Sequence, residues 1–285
     1  MSHAEFFAEL AHVPGLALRT QEPLHRHTPL RVGGPAEIWA DVDELSALQA
    51  LLTAARREKL TWRVCWPLCD WLVRDGGVRG LTIRPGRAFE AVERVDGGVR
   101  IGAAAPWASL GTALGASLAR LSTWSGSVGG LFALGEAARL DGHLLSVRWL
   151  RGRRVEEVAV TPGEIPVLPA TAVLLDITLS AEPLLRPGRR RPTLDGPPPP
   201  GTLFQAPDNL PLDGLFSRAN LGGSRLRCWR ITGTGAAVQL GGGSCRDVLL
   251  LVQGLVERMQ KERGIALQTR LPVLGVEADV VGVPS

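Results

Sequence analysis

The 285-residue chain has no tyrosine, two methionines, four cysteines and five histidines, and only 5% of its residues are aromatic. Chemistry that needs a phenol is therefore excluded. His3, His12, His25 and His27 crowd the N-terminus and His143 stands alone, which leaves little from which to build a histidine-centred triad. Cys65, Cys69, Cys228 and Cys245 form no paired CxxC motif and have no histidine at ligand spacing, so no metal site is expected. They read as buried thiols of a reducing compartment. Lysine is scarce: 32 residues are basic, two of them (Lys59 and Lys261) are lysine, and the rest are arginine. No apolar run approaches the ~18 residues of a membrane span. The opening MSHAEFFAEL carries acidic residues and no apolar signal core, so the expected location is the cytoplasm, without membrane insertion. With 45% hydrophobic residues and a net charge of +4, the bulk of the chain is not disordered.

What is present reads as two or three domains at roughly 100–200 residues each. A short amphipathic N-terminal helix precedes a turn and strand over Arg31–Ala40. Asp43 is placed to cap a helix running to Arg57, with Leu45, Leu48 and Leu52 on one face. Strands follow at Trp62–Cys65 and Leu81–Arg84, the second after the glycine-rich turn Asp75–Gly80. The rhythm then changes. A hairpin over Glu90–Ile101 turns at Asp96-Gly97-Gly98, and Pro106 opens a helix carrying Leu110, Leu114 and Leu118. Further strands are expected at Leu145–Leu150, Val155–Val160 and Val173–Leu179. Residues 182–201 hold seven prolines and four arginines, a composition that forms no core. The arginine cluster within it (Arg186, Arg189, Arg190 and Arg191) reads first as solvated linker and second as an anion-binding strip, with no nucleic-acid partner expected. Beyond it, a helix over Arg246–Arg263 is capped by Ser244 or Cys245 and stopped by Gly264, with Val248, Leu251, Val252, Leu255 and Met259 as its buried stripe. The expected division is 1–84 and 85–181 as two subdomains, 182–200 as linker, and 201–285 as a C-terminal α/β domain.

Three glycine-rich turns are candidate anion cradles: Gly33-Gly34, Gly126-Ser127-Val128-Gly129-Gly130, and Gly241-Gly242-Gly243-Ser244. Each also reads as an ordinary turn or helix start. In order along the chain, HTPLRVGGPAEIWA (27–40), LVRDGGVRGLTIR (72–84), SGSVGG (125–130), GTLFQAP (201–207) and ERGIAL (262–267) resemble one family, the UDP-N-acetylenolpyruvoylglucosamine reductases (MurB) of peptidoglycan precursor synthesis. The resemblance covers nearly the whole chain and is most specific in its first two blocks. It implies an α+β fold of the MurB/PCMH flavin type. Two subdomains would grip FAD, a third would close over a UDP-sugar, and NADPH would be the reductant. The family's cofactor glycines match Gly33, Gly34, Gly126, Gly129 and Gly130. Its proton-donating serine matches Thr202, which keeps the hydroxyl.

The departures fall on the chemistry. Where the family has a GGGSN-like flavin loop, this chain has Trp66-Pro67-Leu68-Cys69-Asp70. Proline offers no N–H, the bulky side chains fill phosphate space, and Asp70 adds a like charge. Gln205 and Ala206 replace a lysine and an asparagine. The stretch 162–172 lacks the tyrosine, arginine and serine of a YRxS block. The final glutamate aligns with Arg270, with Glu277 the nearest carboxylate, and an HxNF block aligns with Gly235-Ala236-Ala237-Val238. The resemblance thus implies a degenerate relative that has lost FAD binding and catalysis and works by binding, with a UDP-sugar or a cell-wall or division protein as partner. The alternative is an active FAD- and NADPH-dependent reductase. The linker reading has its own test: limited trypsin digestion should cut first near Arg186–Arg191. Early cleavage inside 31–180 would contradict the division.

Overall fold

The computed structural model describes residues 3–28, 30–66, 71–110, 126–133, 135, 137–180, 203–205, 212–233, 237–239, 243–269 and 273–276. The expected linker (182–200) and Leu114 and Leu118 of the expected Pro106 helix lie outside these residues. In chain order the elements are α1 (His3–Leu10), β1 (Leu16–Pro23), β2 (Pro35–Val42), α2 (Leu45–Arg57), β3 (Trp62–Val64), β4 (Leu72–Val73) and β5 (Val78–Pro85). Then follow β6 (Val92–Val95), β7 (Gly98–Gly102), α3 (Val128–Ala133), β8 (Leu144–Arg151), β9 (Arg154–Ala159) and β10 (Ala172–Ser180). The last third holds β11 (Phe204–Gln205), α4 (Leu212–Arg218), β12 (Arg225–Leu226), β13 (Trp229–Ile231), β14 (Ala237–Gln239), α5 (Cys245–Arg263), β15 (Gln268–Thr269) and β16 (Val273–Leu274). The fold is α+β, as expected.

The chain packs into two compact units, both built from discontinuous segments. The first comprises Met1–Thr20, Ile38–Cys69 and Gly80–Pro197; the second comprises Gln21–Glu37, Asp70–Arg79 and Pro198–Ser285. The expected boundaries at 84, 181 and 200 follow the sequence, whereas these units cut across it.

A four-stranded sheet, ordered β1-β2-β5-β3, carries α2, whose Leu48, Leu51, Leu52 and three alanines are buried. The helix starts one residue later than expected. Glu44 is its N-cap, while the Asp43 carboxylate accepts from the Arg87 N–H at 3.1 Å. Local sequence points to Asp43 as the cap; a partner 44 residues away claims its side chain instead. The second sheet is antiparallel, ordered β6-β7-β10-β8-β9. Its hairpin pairs Val95 with Gly98, which leaves Asp96-Gly97 as a two-residue turn with Gly97 at φ +78°. Central strand β10 is buried along all nine residues. Its Asp176 is held by Arg148, Nε at 2.9 Å from Oδ1 and Nη2 at 2.6 Å from Oδ2. A buried carboxylate needs such a bidentate partner, because desolvation of an unpaired charge is costly. Pro106 leads into a 3-10 turn, Trp107–Leu110.

In the second unit, short ladders surround one core. β11 pairs with β15, β12-β13-β14 form a small antiparallel sheet, and β4 pairs in parallel with β16. Trp229, Phe204, Phe216 and Met259 are fully buried with Leu30, Val32, Leu72 and the α5 stripe Val248, Leu251, Val252 and Leu255. The helix begins at Cys245, and Ser244 closes a full capping box: its Oγ accepts from Asp247 N–H at 3.1 Å, and Asp247 accepts from Ser244 N–H. Gly264 ends it at φ +66°. Replacing Ser244 with alanine should lower unfolding free energy by about 0.5–2 kcal/mol. Urea denaturation checks this, and an unchanged midpoint would mean that the cap carries no stability here.

Candidate functional site

The expected cofactor glycines fall in separate units, Gly33 and Gly34 in the second and Gly126, Gly129 and Gly130 in the first. In the first unit, the 126–130 turn adjoins the start of α3, where backbone N–H groups would have to point outward to hold a phosphate. They do not. Val128 N–H donates to Ala105 O at 3.3 Å and Gly129 N–H to Ala103 O at 2.6 Å. Gly130 N–H donates to Ser127 Oγ at 3.2 Å and Leu131 N–H to Ser127 O at 3.1 Å. Trp107 N–H donates to Gly126 O at 2.8 Å and fastens the front of the turn. The turn is buried throughout.

Its covering group is Trp66. The indole lies on the Gly129 backbone so closely that a Cβ built on that glycine would stand 2.5 Å from Cε2. Trp66 is itself only 5% exposed. A six-membered and a five-membered ring thus occupy the space above the turn, and glycine at 129 is required by the tryptophan. Sequence reasoning identifies the bulk at Trp66; it does not identify where that bulk goes. The rest of the replaced loop, Pro67 to Asp70, lies outside the described residues.

In the second unit, Gly33 and Gly34 serve the neighbouring turn. Gly34 N–H donates to Arg74 O at 3.0 Å, and a Cβ on Gly34 would fall 2.5 Å from Gly77 N. Gly33 has φ +120°, which disfavours any side chain. The two most family-specific blocks of the sequence therefore pack against each other, backbone to backbone. Just past the third glycine run, the first amides of α5 are taken by a protein group. The Asp75 carboxylate accepts from Cys245 N–H at 2.9 Å and from Arg246 N–H at 3.2 Å, at the positive end of α5. Nothing local in the sequence marks Asp75 for this role, since its partners lie 170 and 171 residues away.

Among the described residues, the other expected positions offer no reactive cluster. Thr202, Ala206, Gly235, Ala236, Gly241, Gly242, Arg270 and Glu277 lie outside the described residues. Ala237 and Val238 belong to β14, and Gln205 belongs to β11. No residue of 162–171 is buried, and Val167 is 89% accessible. Among the described residues no group of three or more His, Cys, Asp or Glu side chains is placed to hold a metal ion. No helix of the described residues is long and apolar enough to cross a membrane.

The described cysteines carry free thiols. Burial pushes Cys65 up to about 12 despite the Arg84 charge, and burial followed by the Asp75 carboxylate pushes Cys245 up to about 12. Neither is an activated nucleophile. Native protein at pH 8 should leave both unmodified by iodoacetamide, read by mass spectrometry. The same shift predicts that stability falls as pH rises above the ordinary thiol value of 9.0, where the unfolded thiols ionise and the folded ones stay protonated. Rapid alkylation of native Cys65 would contradict both.

No family model matches the chain. It is 27% identical over 281 residues to UDP-N-acetylenolpyruvoylglucosamine reductase 1 of Bacillus cereus, covering 89% of this chain and 93% of that one. It is 28% identical over 295 residues to UDP-N-acetylenolpyruvoylglucosamine reductase of Syntrophotalea carbinolica, covering 94% and 96%. Among solved structures, the fold resembles the UDP-N-acetylenolpyruvylglucosamine reductase (MurB) from Thermus caldophilus, with a TM-score of 0.65 at 20% identity over 91% of this chain and 99% of that one. The chain is thus similar, collinearly and over nine-tenths of its length, to the UDP-N-acetylenolpyruvoylglucosamine reductases (MurB), and it shares the fold of the solved one.

Proposed function

We propose that this protein is a MurB-family member that has lost FAD binding and the reductase reaction, and that it acts in the cytoplasm by binding, with a UDP-sugar or a cell-wall or division protein as partner. The observation that carries the reading is the state of the 126–130 turn: Trp66 covers it, and the N–H groups of residues 128–131 all donate to protein acceptors. The residues present do not fit a flavin diphosphate at this turn. A bound diphosphate ordinarily collects several charge-assisted hydrogen bonds, each worth roughly 1.5–3 kcal/mol. Losing two or three costs about 3–9 kcal/mol, or roughly two to six orders of magnitude in affinity. The sequence adds Pro67, which has no N–H to offer, and Asp70, which repels phosphate. It also lacks the family's arginine and glutamate at their aligned positions, and with them the groups that would stabilise a developing enolate.

The curated relatives are named as reductases over nearly their full length, and this favours a second reading in which the chain is active with FAD and NADPH. Proton donation would then fall to Thr202, the one hydroxyl at the family's donor position. The two readings separate in one measurement. The protein should purify colourless and show no uptake of FAD by calorimetry or by a flavin absorbance band after desalting. A yellow preparation with stoichiometric flavin would sink the degenerate reading and restore the reductase.

A further inference from the structure

Away from the glycine turns, the second unit carries an open groove of about 370 Å³ between β12 and α5, with Arg225, Leu226, Leu250, Gly254, Leu255 and Arg258 among its walls. Helix periodicity explains its composition. The core stripe of α5 faces inward, and Leu250, Gly254 and Arg258 follow at i, i+4 and i+8 along the neighbouring edge. Leu250 is 49% exposed and lends the groove an aliphatic wall. Gly254 sits mid-helix, where glycine is unfavourable relative to alanine. No heavy atom lies within 4 Å of where its Cβ would stand, so packing inside the unit does not require the glycine. Its missing side chain deepens the groove.

The rim is cationic. No carboxylate is among the lining residues, and Arg230 of β13 stands opposite Arg225 across the β12-β13 ladder. Arg258 Nε donates to Glu262 at 2.8 Å, and Arg225 pairs with no carboxylate among the described residues. An aliphatic floor between two guanidinium groups complements aliphatic side chains flanked by carboxylates. We propose that this groove docks an acidic amphipathic segment of a partner protein, with its aliphatic side chains over Gly254 between Leu226 and Leu250 and its carboxylates on Arg225 and Arg258. This is the helix-in-groove mode, in which apolar anchors repeat at i and i+4. The proposal rests on the reading that the chain works by binding, and it names the chemistry of the partner.

The probe is a fluorescein-labelled synthetic peptide with leucines at i and i+4 among glutamates, titrated into the full-length protein by anisotropy. Saturable binding that weakens with salt and disappears when the glutamates are replaced by lysines is expected. Gly254→Leu, which fills the groove, and Arg225→Glu, which reverses its rim, should each weaken binding by about tenfold or more. Gly254→Ala should raise the thermal midpoint while weakening binding less, which separates helix propensity from occupancy of the groove. Should Gly254→Leu fail to fold, Arg225→Glu decides the question by itself. Absence of binding, equal binding of the lysine peptide, or indifference to the folded variants overturns the proposal. So does a concentration-dependent dimer that Gly254→Leu abolishes, which would assign the groove to a second copy, or preferential capture of anionic lipid vesicles over the peptide. Flavin absorbance on the same preparation tests the degenerate reading separately, since a yellow protein that still takes the peptide would keep the groove and lose that reading.

Discussion

Commitment of backbone N–H groups to acceptors within the protein is the constraint on which the rest of the structure turns. A glycine-rich turn binds an anion when its amides point outward and nothing stands above them. Here the amides of 128–131 are tied to Ala103, Ala105 and Ser127, and an indole lies on Gly129. At the start of α5 the N–H groups of Cys245 and Arg246 are held by Asp75, and that of Asp247 by the Ser244 hydroxyl. In each place the turn keeps its shape with a protein group where an anion would sit.

A glycine turn can therefore keep its shape whether an anion or a protein group stands at its amides. A glycine that admits a phosphate and a glycine that admits a tryptophan satisfy the same steric rule: no Cβ, and close approach from above. Gly129 satisfies it for Trp66, whose indole lies on its backbone. Gly34 and Gly77 satisfy it where two turns meet backbone to backbone, a packing requirement independent of any ligand. Retained motif glycines are evidence for retained fold, and the acceptors of their amides decide whether binding is retained with it.

Helix α5 shows the same logic in stability. Its capping box, its Asp75 partner and its αL glycine satisfy both ends, while its buried stripe anchors the core around Trp229 and Met259. With its ends satisfied and one face packed, the helix tolerates an interior glycine at 254 and a half-exposed leucine at 250 on its outer edge.

Much of this is legible in the sequence. Periodicity places α2 and α5 to within a residue or so, Asp96-Gly97 marks the hairpin, alternation and apolar runs mark the strands of the second sheet, and the ordered blocks carry the resemblance to the reductases. The two-residue ladders β4-β16 and β11-β15 leave no periodic signal, because pairs so short carry no alternation to read. Asp43 looks like a cap but its carboxylate answers to Arg87, and Asp75 carries no local mark because its partners begin 170 residues away. The sequence alone determined which residues could form turns, caps and core, since those depend on neighbours a few positions apart. Which acceptor each turn amide would find, and that Trp66 would lie on Gly129, was decided only by the tertiary structure, because a hydrogen bond or a ring contact between distant segments is fixed by the path of the whole chain and by nothing in either segment.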